Sequence, residues 1–322
     1  MSAPIVASDP DHDVIAVTGA TGFIGQHLMV RLNQLGRKSR ALVRSKAGRS
    51  TDFNEATQIV PGGLNDPGAL QQLLNGAKIC VHLAGATKSV STAGFHSANV
   101  IGTFNVAACA AKAGVEHFIC VSSQVARAPE ISDYAASKAS AEAALDPYKS
   151  QMRVTVIRPP AVIGPGDPML KPMLDLIRGG WLPAPSEPRS GARSFAVISV
   201  NDLVERILQS VTSGETEPGV IEPCSVPATT WQSVGAAAGV ALNRRVRVLS
   251  IWSGILRSAG FLADGLATLV RRPMPISHGK VRELLAADWT YDDPVQDAMN
   301  LEEILRACFL EQDSNGRILS GE

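Results

Sequence analysis

Three glycines in the stretch TGATGFIG constrain the fold of this chain more than any other feature. Gly19, Gly22 and Gly25 follow an apolar run of strand type at residues 13–18 and open a segment with apolar residues at helical spacing that stops at Gly36. Glycine adopts backbone conformations that strain other residues, and it lets another group approach the backbone closely. Bare N–H groups at a helix start attract anions, so the stretch predicts a turn that binds the pyrophosphate of a dinucleotide; a loose turn is the alternative.

Strand-like and helix-like segments then alternate along the first half of the chain. Such alternation predicts an α/β fold with a parallel sheet covered on both faces, here a doubly wound Rossmann fold whose ligand lies at the carboxyl ends of the strands. The predicted strands are 13–18, 39–44, 57–64, 78–85, 117–123 and 153–160, and the predicted helices are 23–36, 67–76, 92–114 and 132–149.

The alternating pattern of the sequence is interrupted after Pro160 by a proline-rich segment. Residues 159–193 contain eight prolines, a density that predicts irregular, loop-rich chain of the kind that often carries binding sites. We therefore expect a smaller, discontinuous substrate-binding domain beside the Rossmann domain. The predicted division is a flexible tail at 1–12, a Rossmann domain at 13–160 with about 195–225, and a substrate-binding region at 161–194 and 226–322.

Composition excludes several classes of protein. Lys plus Arg and Asp plus Glu are both 30, which gives no electrostatic case for a nucleic-acid partner. The N-terminus lacks the basic and apolar regions of a signal peptide, and the five cysteines show no C-x-x-C spacing, so we expect free thiols in the reducing cytoplasm. The histidines show no ligand spacing, and no metal site is predicted.

Residues 246–270 raise the question of a membrane. The segment is apolar, but Arg257 and Asp264 interrupt it, so it contains no run long enough for a transmembrane segment. Its arginine flanks and Trp252 suit a helix that lies in a membrane interface. The alternative, which we favour from sequence, is an amphipathic helix packed on its own domain or forming a lid.

Two stretches carry the candidate chemistry. Tyr134 and Lys138 are four residues apart, on one face of a predicted helix, where an ammonium favours the phenolate and lowers the pKa of the phenol. Ser123 ends a predicted strand, where a hydroxyl faces the cofactor crevice and can hold a substrate oxygen against Tyr134. A surface Tyr and Lys, and a serine that merely caps the strand end, are the alternatives.

The motifs occur in a characteristic order: T-G-A-T-G-F-I-G, H-L-A-G, N-V-x-G-T-x-N, V-S-S, Y-x-x-S-K-x-x-A-E and R-P. Over residues 13–215 the chain resembles the extended or atypical short-chain dehydrogenase/reductase superfamily, and its epimerase/dehydratase-type members above all. The resemblance implies a catalytic set of Ser123, Tyr134 and Lys138 with Asn99 in support, and places Lys138 also on the nicotinamide ribose. It implies cofactor contacts from Gly19, Ala20, Thr21, Gly22, Phe23, Ile24, Gly25, Arg44, Gly63, Leu64, Leu83, Ala84, Gly85, Lys138, Pro159 and Val162.

Three departures from the family pattern affect the prediction. Arg44 stands where members that use NAD carry an acid, and a guanidinium there can pair with a 2′-phosphate, so NADP is favoured over NAD. Gly63 in the sequence GGL supplies no carboxylate for adenine. Nucleotide-sugar epimerases place an arginine seven residues before the aspartate of V-x-D, whereas Arg193 is two positions away from that place before Asp202.

The resulting prediction is an NAD(P)-dependent oxidoreductase that transfers a hydride to or from a small-molecule substrate with Tyr134 as acid and base. One alternative is a nucleoside-diphosphate-sugar epimerase or dehydratase with tightly bound cofactor. The other is a non-catalytic accessory protein that binds the cofactor. The resemblance also implies a homodimer through the helices at 92–114 and 132–149. The substrate is not named by the sequence.

Overall fold

The computed structural model describes residues 14–44, 53, 55–186, 193–212, 219–274, 276–286 and 288–310. The predicted tail at 1–12 lies outside the described residues. The α-helices are α1 Phe23–Gln34, α2 Pro67–Leu74, α3 Thr92–Phe95, α4 Gly102–Ala113, α5 Asp133–Ala143, α6 Lys171–Arg178, α7 Val200–Thr212, α8 Trp231–Ala241, α9 Ser253–Val270, α10 His278–Leu285 and α11 Leu301–Leu310.

The strands are short and dominated by apolar residues. They are β1 Ile15–Thr18, β2 Ser39–Val43, β3 Thr57–Pro61, β4 Ile79–His82, β5 His117–Val121, β6 Arg153–Ile157, β7 Ala161–Ile163, β8 Trp181–Pro185, β9 Ser194–Ser199, β10 Gly219–Ile221, β11 Pro223–Cys224, β12 Val226–Thr229, β13 Arg247–Ile251, β14 Asp288–Trp289 and β15 Asp293–Pro294.

Seven of these strands form one parallel sheet in the order β10-β6-β5-β4-β1-β2-β3. The strand order reverses between β1 and β4, which is the switch point where doubly wound sheets bind ligands. The predicted Rossmann fold is therefore confirmed.

Alternating side chains of the central strand explain why helices cover both faces of this sheet. Ile15 and Val17 of β1 join a core with residues of α1 and α7, whereas Ala16 joins a core with residues of α2 and α4. All three side chains are fully buried. Strands that are buried on both faces read as continuous apolar runs, which is how they were recognised in the sequence.

The C-terminal part of the chain builds a second, smaller core around β9. This strand pairs with β7, β12 and β14 in a separate sheet, and β8 pairs with β13. Helix α7, which follows β9, packs instead with α1 on the main sheet. The segment at about 195–225 thus contributes to both sheets, and its assignment to the Rossmann domain stays a prediction.

Four predicted segments differ from the structure. The single helix predicted at 92–114 is divided by a π-helix at His96–Ile101, and the helix predicted at 132–149 ends at Ala143. The proline-rich segment is more regular than expected, because β7, α6 and β8 lie within it. Residues 246–270 begin with strand β13 before α9 starts, and none of the helices in the described ranges is long and apolar enough to cross a membrane.

Candidate active site

The predicted site residues gather at the carboxyl edge of the main sheet. Gly19 follows β1, Leu83 follows β4, Ser123 lies just beyond β5, and Pro159 lies just beyond β6. Because parallel strands all end at the same edge, residues that are distant in sequence become neighbours beside the switch point.

Close packing requires the glycines of the first turn. Gly19 has a φ of +76°, and a Cβ there would lie 2.6 Å from the backbone N of Ala84. A Cβ on Gly25 would lie 2.1 Å from the carbonyl oxygen of Gly19, and the N–H of Gly22 donates to that oxygen at 2.9 Å. The turn therefore packs the start of α1 directly against the end of β1.

The start of α1 is suited to an anionic group. No side chain caps this helix, whereas Ser132 caps α5 and Asp66 caps α2. Uncapped N–H groups and the helix dipole favour a phosphate at this position. The residues Ala20, Thr21, Phe23 and Ile24 complete this turn, so the local geometry fits the pyrophosphate of a dinucleotide.

Asn99 organises the loop that follows β4. Its side-chain oxygen accepts a hydrogen bond from the backbone N–H of Ala86 at 2.6 Å, and its amide donates to the carbonyl oxygen of Ala86 and to Ser137 Oγ. A Cβ on Gly85 would lie 2.9 Å from the same Asn99 oxygen. Asn99 is buried, and its hydrogen bond to Ser137 ties this loop to α5; its supporting role in the catalytic set stays a prediction.

The remaining residues predicted to contact the cofactor lie either at the exposed carboxyl edge of the main sheet or in the packing beneath it. Arg44 is exposed directly after β2, and a Cβ on Gly63 would meet nothing within 4 Å. Leu64 packs against the core that contains Ala16, and Val162 packs against the core that contains Ile15 and Val17. The carbonyl oxygen of Pro159 accepts from the N–H of Gln124 at 3.0 Å, which joins the segments after β5 and β6.

Tyr134 stands in the first turn of α5, beside Ser123. The structure raises the pKa of Tyr134 to about 12, first because the phenol is buried and second because the carboxylate of Glu283 is close; the hydrogen bond with Ser123 lowers it. The phenol is therefore protonated at neutral pH. Sequence reasoning expected the opposite direction, toward a lowered pKa.

The position of Lys138 explains in part why the pKa of Tyr134 is raised and not lowered. Its side chain is buried, and its Nζ donates a hydrogen bond to the carbonyl oxygen of Val121 at 3.0 Å. Burial lowers the pKa of Lys138. The ammonium is thus engaged by the end of β5, while burial and Glu283 control the titration of Tyr134.

Glu283 is a site residue that sequence reasoning missed. Its carboxylate accepts hydrogen bonds from Ser132 Oγ at 2.6 Å and from Lys280 Nζ at 2.9 Å, and it is only 5% exposed. Ser132 and Glu283 are 151 positions apart in the sequence, and no motif around Glu283 signals its approach to Tyr134.

A second carboxylate secures α5 from the other side. Glu142, the last residue of the Y-x-x-S-K-x-x-A-E motif, accepts hydrogen bonds from Ser122 at 2.5 Å and from Arg158 at 2.6 Å. Arg158 also pairs with Glu222 at 3.2 Å. This network joins α5 to the ends of β5 and β6 and so fixes the helix that carries Tyr134 and Lys138.

A cavity of about 360 Å³ opens in front of Tyr134. Its walls come from the loop after β4, the start of α5, and the C-terminal helices α9 and α10. The lining combines apolar side chains such as Phe95 and Met169 with polar ones such as Lys88 and Glu283. Among the described residues, no group of three or more His, Cys, Asp or Glu side chains is placed to hold a metal ion.

The parallel sheet with its switch point and the glycine turn define a Rossmann fold of the dinucleotide-binding type. The chain belongs to the NAD dependent epimerase/dehydratase family, whose sequence model matches residues 15–218. The superfamily resemblance noted in the sequence is confirmed, and the family and its named relatives support an NAD-dependent oxidoreductase or epimerase.

Individual relatives carry more specific names. A ceramide reductase of Caulobacter vibrioides is 34% identical over 280 residues, which cover 86% of each chain. A UDP-glucose 4-epimerase of Vibrio cholerae is 28% identical over 223 residues, 61% of this chain and 66% of that protein. In structure, MoeE5 in complex with UDP-glucose and NAD superposes with a TM-score of 0.70 at 19% identity, covering 92% of this chain and 97% of that chain. This structural likeness concerns the fold.

Proposed function

We propose that this protein is an NADP-dependent carbonyl reductase that acts on a ketone of a long-chain amphiphile of the ceramide type. The observation that carries the proposal is the pair of hydroxyl groups on Ser123 and Tyr134, which lie close to each other where Tyr134 lines the cavity. Reduction of a ketone needs a proton at the oxygen, and a phenol whose pKa is raised to about 12 holds that proton at neutral pH.

Each member of the set has a task that its contacts support. Ser123 holds the carbonyl oxygen of the substrate, and Tyr134 donates the proton to it. Lys138, fixed by Val121, holds the ribose of the cofactor near Tyr134, and Asn99 keeps the loop after β4 against α5. The bound nicotinamide supplies the hydride. Positioning of the reactants supplies much of the remaining rate enhancement.

The assignment of NADP rests on Arg44. Its guanidinium is exposed at the end of β2, at the edge of the sheet where the glycine turn also lies. The long planar side chain can pair with a 2′-phosphate, and the sequence LVRSK at the end of β2 contains no acid to bind the ribose hydroxyls.

The substrate class rests on the relative named ceramide reductase and on the lining of the cavity. Ceramide carries a secondary hydroxyl group, so a nicotinamide-dependent reductase that forms it acts on the corresponding ketone. Phe95 and Met169 offer apolar contacts for chains, whereas Lys88 and Glu283 offer polar contacts for an amide or hydroxyl group. Sites for small molecules commonly combine apolar walls with a few polar groups of this kind.

A nucleotide-sugar epimerase is the second candidate, favoured by the relative named UDP-glucose 4-epimerase. The position of Arg193 argues against it. Its side chain donates hydrogen bonds to the carbonyl oxygens of Leu285 at 3.2 Å and Ser186 at 2.8 Å, and it does not line the cavity. Because its guanidinium is engaged by backbone carbonyl oxygens, Arg193 is not positioned to bind a diphosphate.

The homodimer and the cytoplasmic location stay proposals. Ile101 and Phe104 are 40% and 44% exposed beside and within α4, one of the two helices expected to form the dimer contact. Sedimentation equilibrium at micromolar concentration tests the dimer, and a monomer would contradict it.

The function is tested by the oxidation of NADPH, followed by its absorbance. The purified protein is offered the ketone form of a ceramide, short-chain ketones, sterol ketones and UDP-glucose. Reduction of the ceramide-type ketone supports the proposal. Conversion of UDP-glucose with a cofactor that copurifies and does not exchange would support the epimerase instead, and bound cofactor without turnover on any substrate would support the accessory protein.

A further inference from the structure

Helix α9 carries an apolar stripe that no described part of the protein covers. Ile255, Leu262, Leu266 and Leu269, which we call the apolar stripe, are 58%, 76%, 48% and 81% exposed. Their spacings of seven, four and three residues place them on one line along a helix with 3.6 residues per turn.

The opposite side of α9 makes the contacts with the protein. Gly260 and Ala267 are its buried residues, and a Cβ on Gly260 would lie 3.0 Å from the Cα of His278 in α10. The carboxylate of Asp264 accepts a hydrogen bond from the backbone N–H of His278 at 3.0 Å. A surface helix of a globular protein normally buries its apolar stripe. Here small and polar residues face α10, and the apolar stripe faces outward.

Charged and aromatic residues flank the apolar stripe. Between residues 252 and 274 the chain has three arginines, Arg257, Arg271 and Arg272, against a single acid, Asp264, which is engaged with α10. All three arginines are exposed, and Trp252 before the helix is 68% exposed. Leucine-rich surface with arginines around it and a tryptophan at one end is typical of a helix that lies in a membrane interface.

We propose that the apolar stripe of α9 docks on the surface of a lipid bilayer that contains anionic lipids. Arginines near the surface are attracted by anionic headgroups. A second copy of the chain is a poorer occupant, because a symmetric contact would bring the arginines of both copies together. The sequence prediction of an amphipathic helix that packs on its own domain or forms a lid stays a prediction, since α9 packs against α10 through Asp264 and Gly260 but keeps the apolar stripe on its outer side.

Docking at this surface places the cavity next to the bilayer. Ala267 and Thr268 of α9 line the same cavity as Tyr134, so α9 forms a wall between the bilayer and the site. A long-chain amphiphile can then pass between the two without crossing bulk water. This last step rests on the proposed function, whereas the docking itself does not.

Co-sedimentation with vesicles tests the docking. The full chain is mixed with vesicles of phosphatidylcholine and with vesicles of phosphatidylcholine and phosphatidylglycerol. We expect wild type to bind the anionic vesicles, and Leu262→Ser with Leu269→Ser to bind them roughly tenfold more weakly or worse. The matched control is Val30→Ser with Val240→Ser, two residues that are 50% and 56% exposed on α1 and α8. Circular dichroism checks that each variant is folded.

The charge contribution has its own variant. Arg271→Gln with Arg272→Gln should weaken binding to anionic vesicles by about fivefold per arginine and leave binding to neutral vesicles unchanged. Wild type that stays in the supernatant with both vesicles would overturn the docking, as would an equal loss in the control. Conversion of a dimer to a monomer by the Leu262→Ser and Leu269→Ser variant would show instead that the apolar stripe is a contact between copies of this chain.

A turnover assay separates this inference from the proposed function. On a water-soluble short-chain ketone, the Leu262→Ser and Leu269→Ser variant should match wild type, and on a ceramide-type ketone carried in anionic vesicles it should be slower by the factor by which binding falls. Vesicle binding without reduction of any ketone would refute the proposed function and leave the docking standing. Reduction without vesicle binding would refute the docking.

Discussion

Helices α1 and α9 have similar apolar patterns and opposite surroundings. In α1, Leu28, Met29 and Leu32 are buried at 0% to 1% exposure against the main sheet. In α9, Leu262 and Leu269 point away from the protein at 76% and 81% exposure. The comparison teaches that apolar periodicity predicts a helix and its stripe, but the tertiary contacts decide whether that stripe enters the core.

The two helices also serve opposite sides of the site. Helix α1 begins at the glycine turn suited to the cofactor, while α9 and α10 form the far wall of the cavity and bring Glu283 toward Tyr134. If this division holds, substitutions in the two regions should change the affinity for the cofactor, the free energy of unfolding and the turnover rate independently of one another.

The largest expected effect comes from Tyr134→Phe, which removes the phenol and keeps the ring. Turnover should fall roughly a hundredfold to ten-thousandfold, the contribution of a general acid. Affinity for the cofactor should stay nearly unchanged, because the glycine turn is separate. Steady-state assays and cofactor titrations measure the two quantities, and Tyr148→Phe on the half-buried Tyr148 is the matched control.

Lys138→Ala should differ from Tyr134→Phe by costing both turnover and cofactor affinity, because the ammonium is proposed to hold the ribose. Tyr134→Phe could instead retain near wild-type turnover on a substrate that the wild-type protein reduces. In that case the proton donor would have been assigned wrongly, and the accessory-protein alternative would gain support.

The same substitution in the two helices tests the comparison directly. Leu32→Ala in α1 should lower the free energy of unfolding by about 2–5 kcal/mol, since Leu32 is fully buried. Leu262→Ala in α9 should change it by no more than about 0.5 kcal/mol, as is usual for an exposed site. Urea denaturation without lipid measures both values, and a large loss in Leu262→Ala would show that the apolar stripe is covered in solution.

A smaller effect is expected from Arg44→Ala. Loss of the guanidinium should reduce the preference for NADPH over NADH by about tenfold, in line with a hydrogen bond to a charged group. Dissociation constants for both cofactors measure this change, and Arg40→Ala, on the same strand, is the control. A wild-type preference for NADH, or an unchanged preference in Arg44→Ala, would contradict the assignment of NADP.

The smallest effect concerns pH. Burial raises the pKa of Tyr134 most, and the negative charge of Glu283, which disfavours the phenolate, raises it further. Glu283→Gln keeps the shape and removes the charge, so the pKa of Tyr134 should fall, and the loss of reductase activity on the alkaline side should begin at lower pH. A profile of kcat/KM against pH measures the shift, with exposed Glu130→Gln as control. An unchanged alkaline limb would show that Glu283 does not act on Tyr134.

Much of the cofactor half was predictable because its determinants are local. Gly19, Gly22 and Gly25 pack on one another within a single turn, and the order of the strands follows from short connections and the right-handed twist of parallel units. The π-helix around Asn99 was not predicted, because the spacing of apolar residues in the sequence is nearly the same whether or not one turn of the helix contains an extra residue.

The sequence by itself determined the Rossmann sheet, the glycine turn and the presence of Ser123, Tyr134 and Lys138 at its carboxyl edge, because apolar periodicity and residue spacing act over a few neighbouring positions. Only the tertiary structure decided that Lys138 donates to Val121, that burial and then Glu283 raise the pKa of Tyr134, and that the apolar stripe of α9 faces outward. These features depend on contacts between segments far apart in the chain, and electrostatics and burial are set by such contacts.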